Sequence, residues 1–396
     1  MFKNITKVVW LVSLISLFND FSSEMLYPII PLYLQQIGYG SLLIGILEGV
    51  SECVAGLSKI YMGSLSDHVQ RRLPFVQVGY FLSIVSRPFI GLTSIVGFIF
   101  LGRSLDRMGK GIRSGARDAL LADESKPQTR AEVFGFHRSM DTFGAVLGPL
   151  AAMAYLYFHP ENFKALFLIT LIPGSIAIIA TFLIKEKKKT QENKKTISLK
   201  KHFSYAKNAP KPYLKLVSIF LLFSLVNSSD MFLLLRAKES GMSEQHVLML
   251  YLLFNLCFSL FAFPIGKLAD RYGRMQLFLI GLLVYALTYS LFALQNSHRF
   301  IIVGFILYGL FYAFTQGTTK VLLIEQVPAD QKSSAIGFYE GLNSFSLLIA
   351  NAFAGWIWFR FGSATMLTYS SLITILIFMF MAWLYIIQPK LKGIKK

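Results

Sequence analysis

Asp20 and Glu24 stand four residues apart inside a long apolar run, which sets both carboxylates on one face of a helix. A carboxylate held in a poorly hydrated interior can load and release a proton, and ionisable groups within apolar spans are expensive enough to be candidates for function. Asp230 is a third such acid, and Asn19 and Asn227 lie beside these acids as hydrogen-bonding groups suited to a polar solute. A second constellation is cationic. Arg103, Arg107, Lys110, Arg113 and Arg117 advance by four, three, three and four residues, so they fall on one helical stripe. Such a stripe cannot face lipid, and Asp106, Asp20, Glu24, Glu48 and Glu52 are its expected partners. Two readings stay open: a structural ion-pair network, or an anion site in which Arg103, Arg107 and Lys110 grip a carboxylate or phosphate. His137, Arg138 and Asp141 read as an interfacial group at the cytoplasmic start of a helix.

The elements that must position these residues follow from composition. The chain has 396 residues, 54% hydrophobic and 15% charged, with a formal net charge of +18. That is too little charge to coat two or three soluble domains. Apolar runs of about 20 residues recur, each long enough to cross a bilayer as a helix. Twelve spans are expected at 8–35, 42–62, 74–93, 97–121, 131–157, 164–184, 213–236, 244–266, 275–295, 300–325, 334–358 and 363–386. In lipid the backbone must satisfy itself, so these are helices. The cations concentrate in alternate breaks: Arg71 and Arg72, Lys126 and Arg130, a lysine-rich run from Lys185 to Lys211, Arg271 and Arg274, Lys332, and the tail from Lys390 to Lys396. By the positive-inside rule both termini and the central loop face the cytoplasm of a cell whose cytoplasmic (bacterial inner) membrane holds the chain. The basic excess is then a topology signal reinforced by anionic lipid, and no nucleic-acid partner is expected. The first run lacks a small-residue cleavage site and reads as a retained helix rather than a signal peptide.

The two halves resemble each other. SLFNDFSSEM, from Ser16 to Met25, recurs as SLVNSSDM, from Ser224 to Met231, and GSLSDHVQRR, from Gly63 to Arg72, recurs as GKLADRYGRM, from Gly266 to Met275. Two halves in the same order predict a six-helix bundle over 1–184, a basic cytoplasmic linker over 185–212, and a second six-helix bundle with a short basic tail over 213–396. On these residues the sequence resembles the major facilitator superfamily of secondary transporters. That family's signature between the second and third helices, G-x-x-x-D-x-x-G-R-R/K, appears here as Gly63, Asp67, Gln70, Arg71 and Arg72, with Gln70 in place of glycine. A fuller copy, Gly266, Asp270, Gly273 and Arg274, lies between the eighth and ninth spans. The resemblance implies that these residues act as a conformational gate. Read from the residues alone, the glycine permits close helix approach and Asp67 accepts from a neighbouring helix N-terminus or from Arg71. Gly144, Gly148 and Pro149 in the fifth span are similar to a family signature associated with antiporters, or simply permit tight packing and a bend.

The resemblance further implies an all-α membrane fold of two pseudo-symmetric six-helix bundles around a central cavity, working by alternating access on a small-molecule substrate. Proton coupling through the buried acids is expected, with a small amphiphilic or anionic organic solute as cargo and export slightly favoured over import of an organic anion such as an iron chelate. The chain is expected to act as a monomer, without cofactor or metal. No phosphate-binding loop, H-E-x-x-H, paired cysteines at metal spacing or nucleophile elbow occurs, so neither ATP-driven transport nor an enzyme is indicated. Cys53 and Cys257 both fall within predicted helices, which suggests no disulfide framework. The second half, poorer in deep charge, is expected to supply aromatic walls such as Phe311, Tyr312 and Phe314.

Overall fold

The computed structural model describes residues 5–69, 71–125, 129–186, 205, 209–294, 297–328 and 331–387. Its described regular structure is helical: α1 (Lys7–Glu24), α2 (Ile30–Gln36), α3 (Ser41–Val69), α4 (Leu73–Gly91), α5 (Val96–Asp123), α6 (Arg130–Phe158), α7 (Phe163–Ile169), α8 (Leu171–Thr181), α9 (Lys211–Ser224), α10 (Met231–Glu239), α11 (Glu244–Tyr272), α12 (Arg274–Leu294), α13 (His298–Ile324), α14 (Lys332–Phe361) and α15 (Ser363–Ile387). Each expected span has its helix, but three of the spans are broken in two. Most of the linker and tail lysines, with Lys126 and Gln70, lie outside the described residues.

The breaks have local causes. Pro28 follows α1; it has no N–H to donate to the carbonyl four residues back and its ring crowds that carbonyl, so the helix stops and restarts as α2 with Pro31 in its first turn. Pro173 likewise frees a carbonyl near Thr170, where α7 gives way to α8. The seventh span parts between α9 and α10 without a proline. There Asn227, Ser228, Ser229 and Asp230 compete with the helix for backbone groups: Met231 N–H donates to Ser229 Oγ at 3.3 Å and Ser229 N–H to Asn351 Oδ1 at 2.7 Å. Both the first and the seventh spans are thus broken, the first after the repeated segment Ser16–Met25 and the seventh within its counterpart Ser224–Met231.

Among the described residues eight spans are long and apolar enough to cross a membrane, the broken sixth span among them. The four others are the first and seventh, which are broken, and the fourth and fifth, which carry the charges. Large apolar side chains such as Phe81, Ile172, Phe182, Phe263, Leu294 and Phe359 are exposed, as lipid contact requires.

Contacts divide the chain into two compact units, residues 1–37 with 50–198 and residues 38–49 with 199–396. The first unit packs α4 on α5, and α1 on α6 and α8. Gly148 makes the α1–α6 contact possible, since a Cβ there would stand 2.6 Å from the Phe21 carbonyl. In the second unit α13 packs on α11 and α12, and α12 on α15. Residues 41–49 of α3 belong to that unit, where Gly45 meets Asn351 and Gly355 of α14. Gly273 at φ +105° and Gly362 at φ +87° allow the reversals from α11 to α12 and from α14 to α15.

Candidate functional site

The charged groups of the first unit converge on α5. Its cationic stripe turns inward: Arg103, Arg107 and Arg113 are each about nineteen-twentieths buried or more. Arg103 NH1 lies 3.5 Å from Asp106 Oδ2 one turn along the same helix, and Arg107 NH1 lies 3.4 Å from Glu52 Oε1 on α3. Both guanidinium groups face the ring of Tyr27, at 5.8 and 5.4 Å from its centroid, within cation–π range. Tyr27 sits in the break between α1 and α2, so the break that Pro28 imposes delivers an aromatic face to the stripe.

Lys110 differs from its neighbours. It is set deep in the protein yet its side chain is accessible, and it feels the opposite charges of Glu24, Glu52 and Asp20. Among the described residues it makes no ion pair within 4 Å. Lys110, Arg107 and the Tyr27 ring therefore form a cationic and aromatic surface suited to an anion bearing an organic body.

Farther along α5 the stripe is structural. Arg113 donates to Ser83 Oγ at 2.6 Å and lies over the Tyr80 ring at 5.0 Å, so it pairs with a hydroxyl and a π face where a carboxylate was expected. Arg117 donates to Ser16 Oγ at 2.8 Å and pairs with Asp118 at 3.2 Å and Asp141 at 3.7 Å. His137 and Asp141, read from the sequence as interfacial, have side chains packed inside the protein. Both are buried, His137 Nε2 lies 3.5 Å from Asp141 Oδ2, and His137 Nδ1 lies 3.3 Å from Ser13 Oγ. The cause is the narrow α1–α6 contact at Gly144 and Gly148, which draws the same face of α6 against α1. Pro149 is buried in the same helix. Asp20 and Glu24 are both half-buried, with Asn19 Nδ2 donating to Asp20 Oδ1 at 3.1 Å.

Arg87 was missed by the sequence reading, although it is a lone cation inside the third span. It is buried, and its NH1 donates to Ser22 Oγ and to the Thr170 carbonyl at the α7–α8 break. Arg236 is buried in α10, where its Nε donates to the Phe292 carbonyl at 2.9 Å.

At the loop signature, Asp67 and Asp270 are helical, within α3 and α11 rather than in loops, and their side chains lie outside the described residues. Among the described residues nothing stands within 4 Å of where a Cβ on Gly63 or Gly266 would lie, although the Gly63 Cα itself faces Gly115 of α5, whose Cβ would meet it at 3.5 Å. The tight crossing falls instead at Gly111, whose Cβ would meet the Ala55 carbonyl at 2.5 Å. Arg71 is exposed. The N-terminus of α4 is held by Glu186, which accepts from Leu73 N–H at 3.0 Å and from Arg72 N–H. Arg274 in the second copy pairs with Glu325.

In the second unit Asn227 and Asp230 occupy the α9–α10 break, both half-buried, and Ser229 Oγ donates to Asp230 Oδ1 at 3.3 Å. Phe311 is buried in an aromatic cluster with Tyr285, Tyr308 and Tyr312, while Tyr312 and Phe314 are half-buried. Among the described residues no group of three or more His, Cys, Asp or Glu is arranged to hold a metal ion.

These helices, breaks and inward charges are those of a polytopic membrane transporter, and the comparisons agree. The Major Facilitator Superfamily model matches residues 12–253 and 216–396, and the chain belongs to that family. An uncharacterized MFS-type transporter of Methanocaldococcus jannaschii is 34% identical over 363 residues, covering 90% of this chain and 89% of the relative. The inner membrane transport protein YajR of Escherichia coli is 24% identical over 338 residues, covering 84% of this chain and 73% of its own length. Among solved structures, the nucleoside transporter NupG superposes with a TM-score of 0.80 at 15% identity, covering 96% of this chain and 100% of that one. The protein is thus an integral membrane transporter with the all-helical fold of its family, and not an enzyme.

Proposed function

We propose that this transporter is a proton-coupled carrier of a small organic anion, working by alternating access in the cytoplasmic membrane as a monomer with both termini in the cytoplasm. The carrying observation is Lys110, an accessible cation beside Arg107 and the Tyr27 ring, while Arg103, Arg113 and Arg117 are committed to protein partners. A cationic patch beside an aromatic face favours a carboxylate or phosphate attached to an organic body. Asp20 and Glu24, half-buried on α1 near this patch, are the groups we assign to carry the proton. Asp230 is the corresponding acid of the second unit, and Asn19 within α1 and Asn227 in the α9–α10 break are the amides we assign to the substrate. Export is the direction favoured by the likeness of Gly144, Gly148 and Pro149 to the antiporter signature. The gating role rests on Asp67 and Arg71 in the first copy and on Asp270 and Arg274 in the second.

The test is Glu24→Gln in proteoliposomes, with an anionic substrate found by screening. Loss of transport driven by a pH gradient, with substrate counterflow retained, is the expected result. Loss of both would reassign Glu24 to binding or structure. A second reading, export of a lipophilic cation, is favoured by the same two acids, and predicts that Lys110→Gln leaves transport intact.

A further inference from the structure

We infer that the break between α9 and α10 binds a small monovalent cation, sodium, through Asn227, Ser228 and Asp230 of the break and the hydroxyls of Tyr289 on α12 and Tyr308 on α13. The site lies within the second unit and does not rest on the anion-carrier reading of the first.

The residues Asn227, Ser228, Ser229 and Asp230 interrupt the seventh span, and the interruption leaves backbone groups over. Among the described residues the carbonyls of Ser224, Leu225, Asn227 and Ser228 accept no hydrogen bond. They belong to the C-terminal end of α9 and the turn after it, where the helix dipole is negative. Half-helix ends of this kind coordinate cations inside membranes. The break is nonetheless held in place, since Ser229 N–H donates to Asn351 Oδ1 at 2.7 Å and the Tyr285 hydroxyl donates to the Val226 carbonyl at 2.9 Å.

Side chains supply an independent sign. Asn227 Oδ1, Ser228 Oγ, Tyr289 Oη and Tyr308 Oη are buried polar atoms with no hydrogen-bond partner among the described residues. Tyr289 and Tyr308 are fully buried and Ser228 nearly so. These groups share one neighbourhood: the Tyr289 hydroxyl lies beside Ser228, and the charge of Asp230 acts on both Tyr289 and Tyr308. Tyr289 also stacks at 4.1 Å between centroids on Tyr285, the ring that reaches Val226. Buried polar atoms are left unpaired by the chain where an ion or a water completes them. An ion is favoured here, because the carbonyls and the amide oxygen can only accept and Asp230 adds a negative charge. The set is all oxygen with a single carboxylate. Calcium takes more charged oxygens, magnesium keeps several waters, and softer metals call for nitrogen or sulfur, so a hard monovalent cation fits. The rings close round the hydroxyls, with Tyr308 at 5.1 Å from Phe254 and 5.8 Å from Phe311, which favours a bare ion over an organic ammonium.

The experiment measures thermal unfolding of the full detergent-purified chain in sodium, potassium and choline chloride at equal ionic strength, beside equilibrium binding of radioactive sodium. A ligand that binds only the folded state raises its apparent stability. The parent chain is expected to unfold at a higher temperature in sodium than in choline, with a smaller shift in potassium. Asp230→Asn should abolish the sodium shift. Tyr289→Phe keeps the stacked ring and removes only the hydroxyl, so it should fold and bind sodium about tenfold more weakly. In choline that variant should be at least as stable as the parent, because an unpaired buried hydroxyl is gone. A Tyr289→Phe chain that is less stable than the parent by the same amount in every salt would make the hydroxyl structural and overturn its part in the site. Sodium binding unchanged in Asp230→Asn, Tyr289→Phe and Tyr308→Phe would overturn the site itself, as would equal unfolding of the parent in all these salts with no sodium bound. A potassium shift as large as that of sodium would overturn the choice of ion.

Discussion

Replacing Asp141 with asparagine removes a carboxylate that lies within 4 Å of both Arg117 and His137 inside the first unit. The Asp141 side chain is 6% exposed and that of Arg117 18%, so this is a mostly buried pair. Removing one partner of a buried pair costs about 3–5 kcal/mol, because the other charge is left without compensation. Arg117 keeps Asp118 at 3.2 Å, but that carboxylate is 51% exposed. An exposed contact of this kind offsets no more than about 1 kcal/mol. The expected net loss is therefore about 2–4 kcal/mol, or roughly 4–16 °C in the unfolding midpoint of a unit of this size. The assay is thermal unfolding of detergent-purified protein followed by tryptophan fluorescence. Pairing Asp141→Asn with Arg117→Met should recover part of the loss, since no charge is then stranded. A single variant within about 0.5 kcal/mol of the parent, or a double variant that loses the sum of both, would refute the claim that these groups form one coupled cluster.

Gly148→Val should destabilise by about 1–3 kcal/mol through overpacking, because the new side chain meets the Phe21 carbonyl, and a crosslink between cysteines placed on α1 and α6 should form more slowly. Glu186→Gln should cost about 1 kcal/mol by weakening the carboxylate at the start of α4, and hydrogen exchange at Leu73 and the following turn should rise while α8 is unaffected.

Much of the fold is legible in the sequence because lipid makes one demand of every span. Each apolar run long enough to cross produced helix where it was expected, and even the charged fifth span ends within a residue or two of its reading. What escaped the reading depends on contacts between helices. The carboxylate at Asp141 looked interfacial because only its position along α6 was visible, whereas its burial is set by glycines further along that helix meeting α1. Glu186 looked like part of a basic linker, yet it holds the start of α4. Gly63 carried the family signature, and the tight crossing of α3 and α5 falls instead at Gly111, which no motif marked. The cationic stripe itself was readable from periodicity. Its division into committed arginines and an accessible Lys110 was not, since that depends on which partners α3, α4 and α6 bring to each turn.

The central claim, that the α5 patch recognises an anion, is tested most directly by a ligand screen. Thermal unfolding of the purified protein would be measured with organic carboxylates and phosphates beside lipophilic cations, for the parent chain and for Lys110→Gln. The account predicts stabilisation by one or more anions that is lost in Lys110→Gln, because a ligand that binds only the folded state raises its apparent stability. Stabilisation by lipophilic cations alone, unchanged in Lys110→Gln and dependent on Asp20 or Glu24, would contradict it.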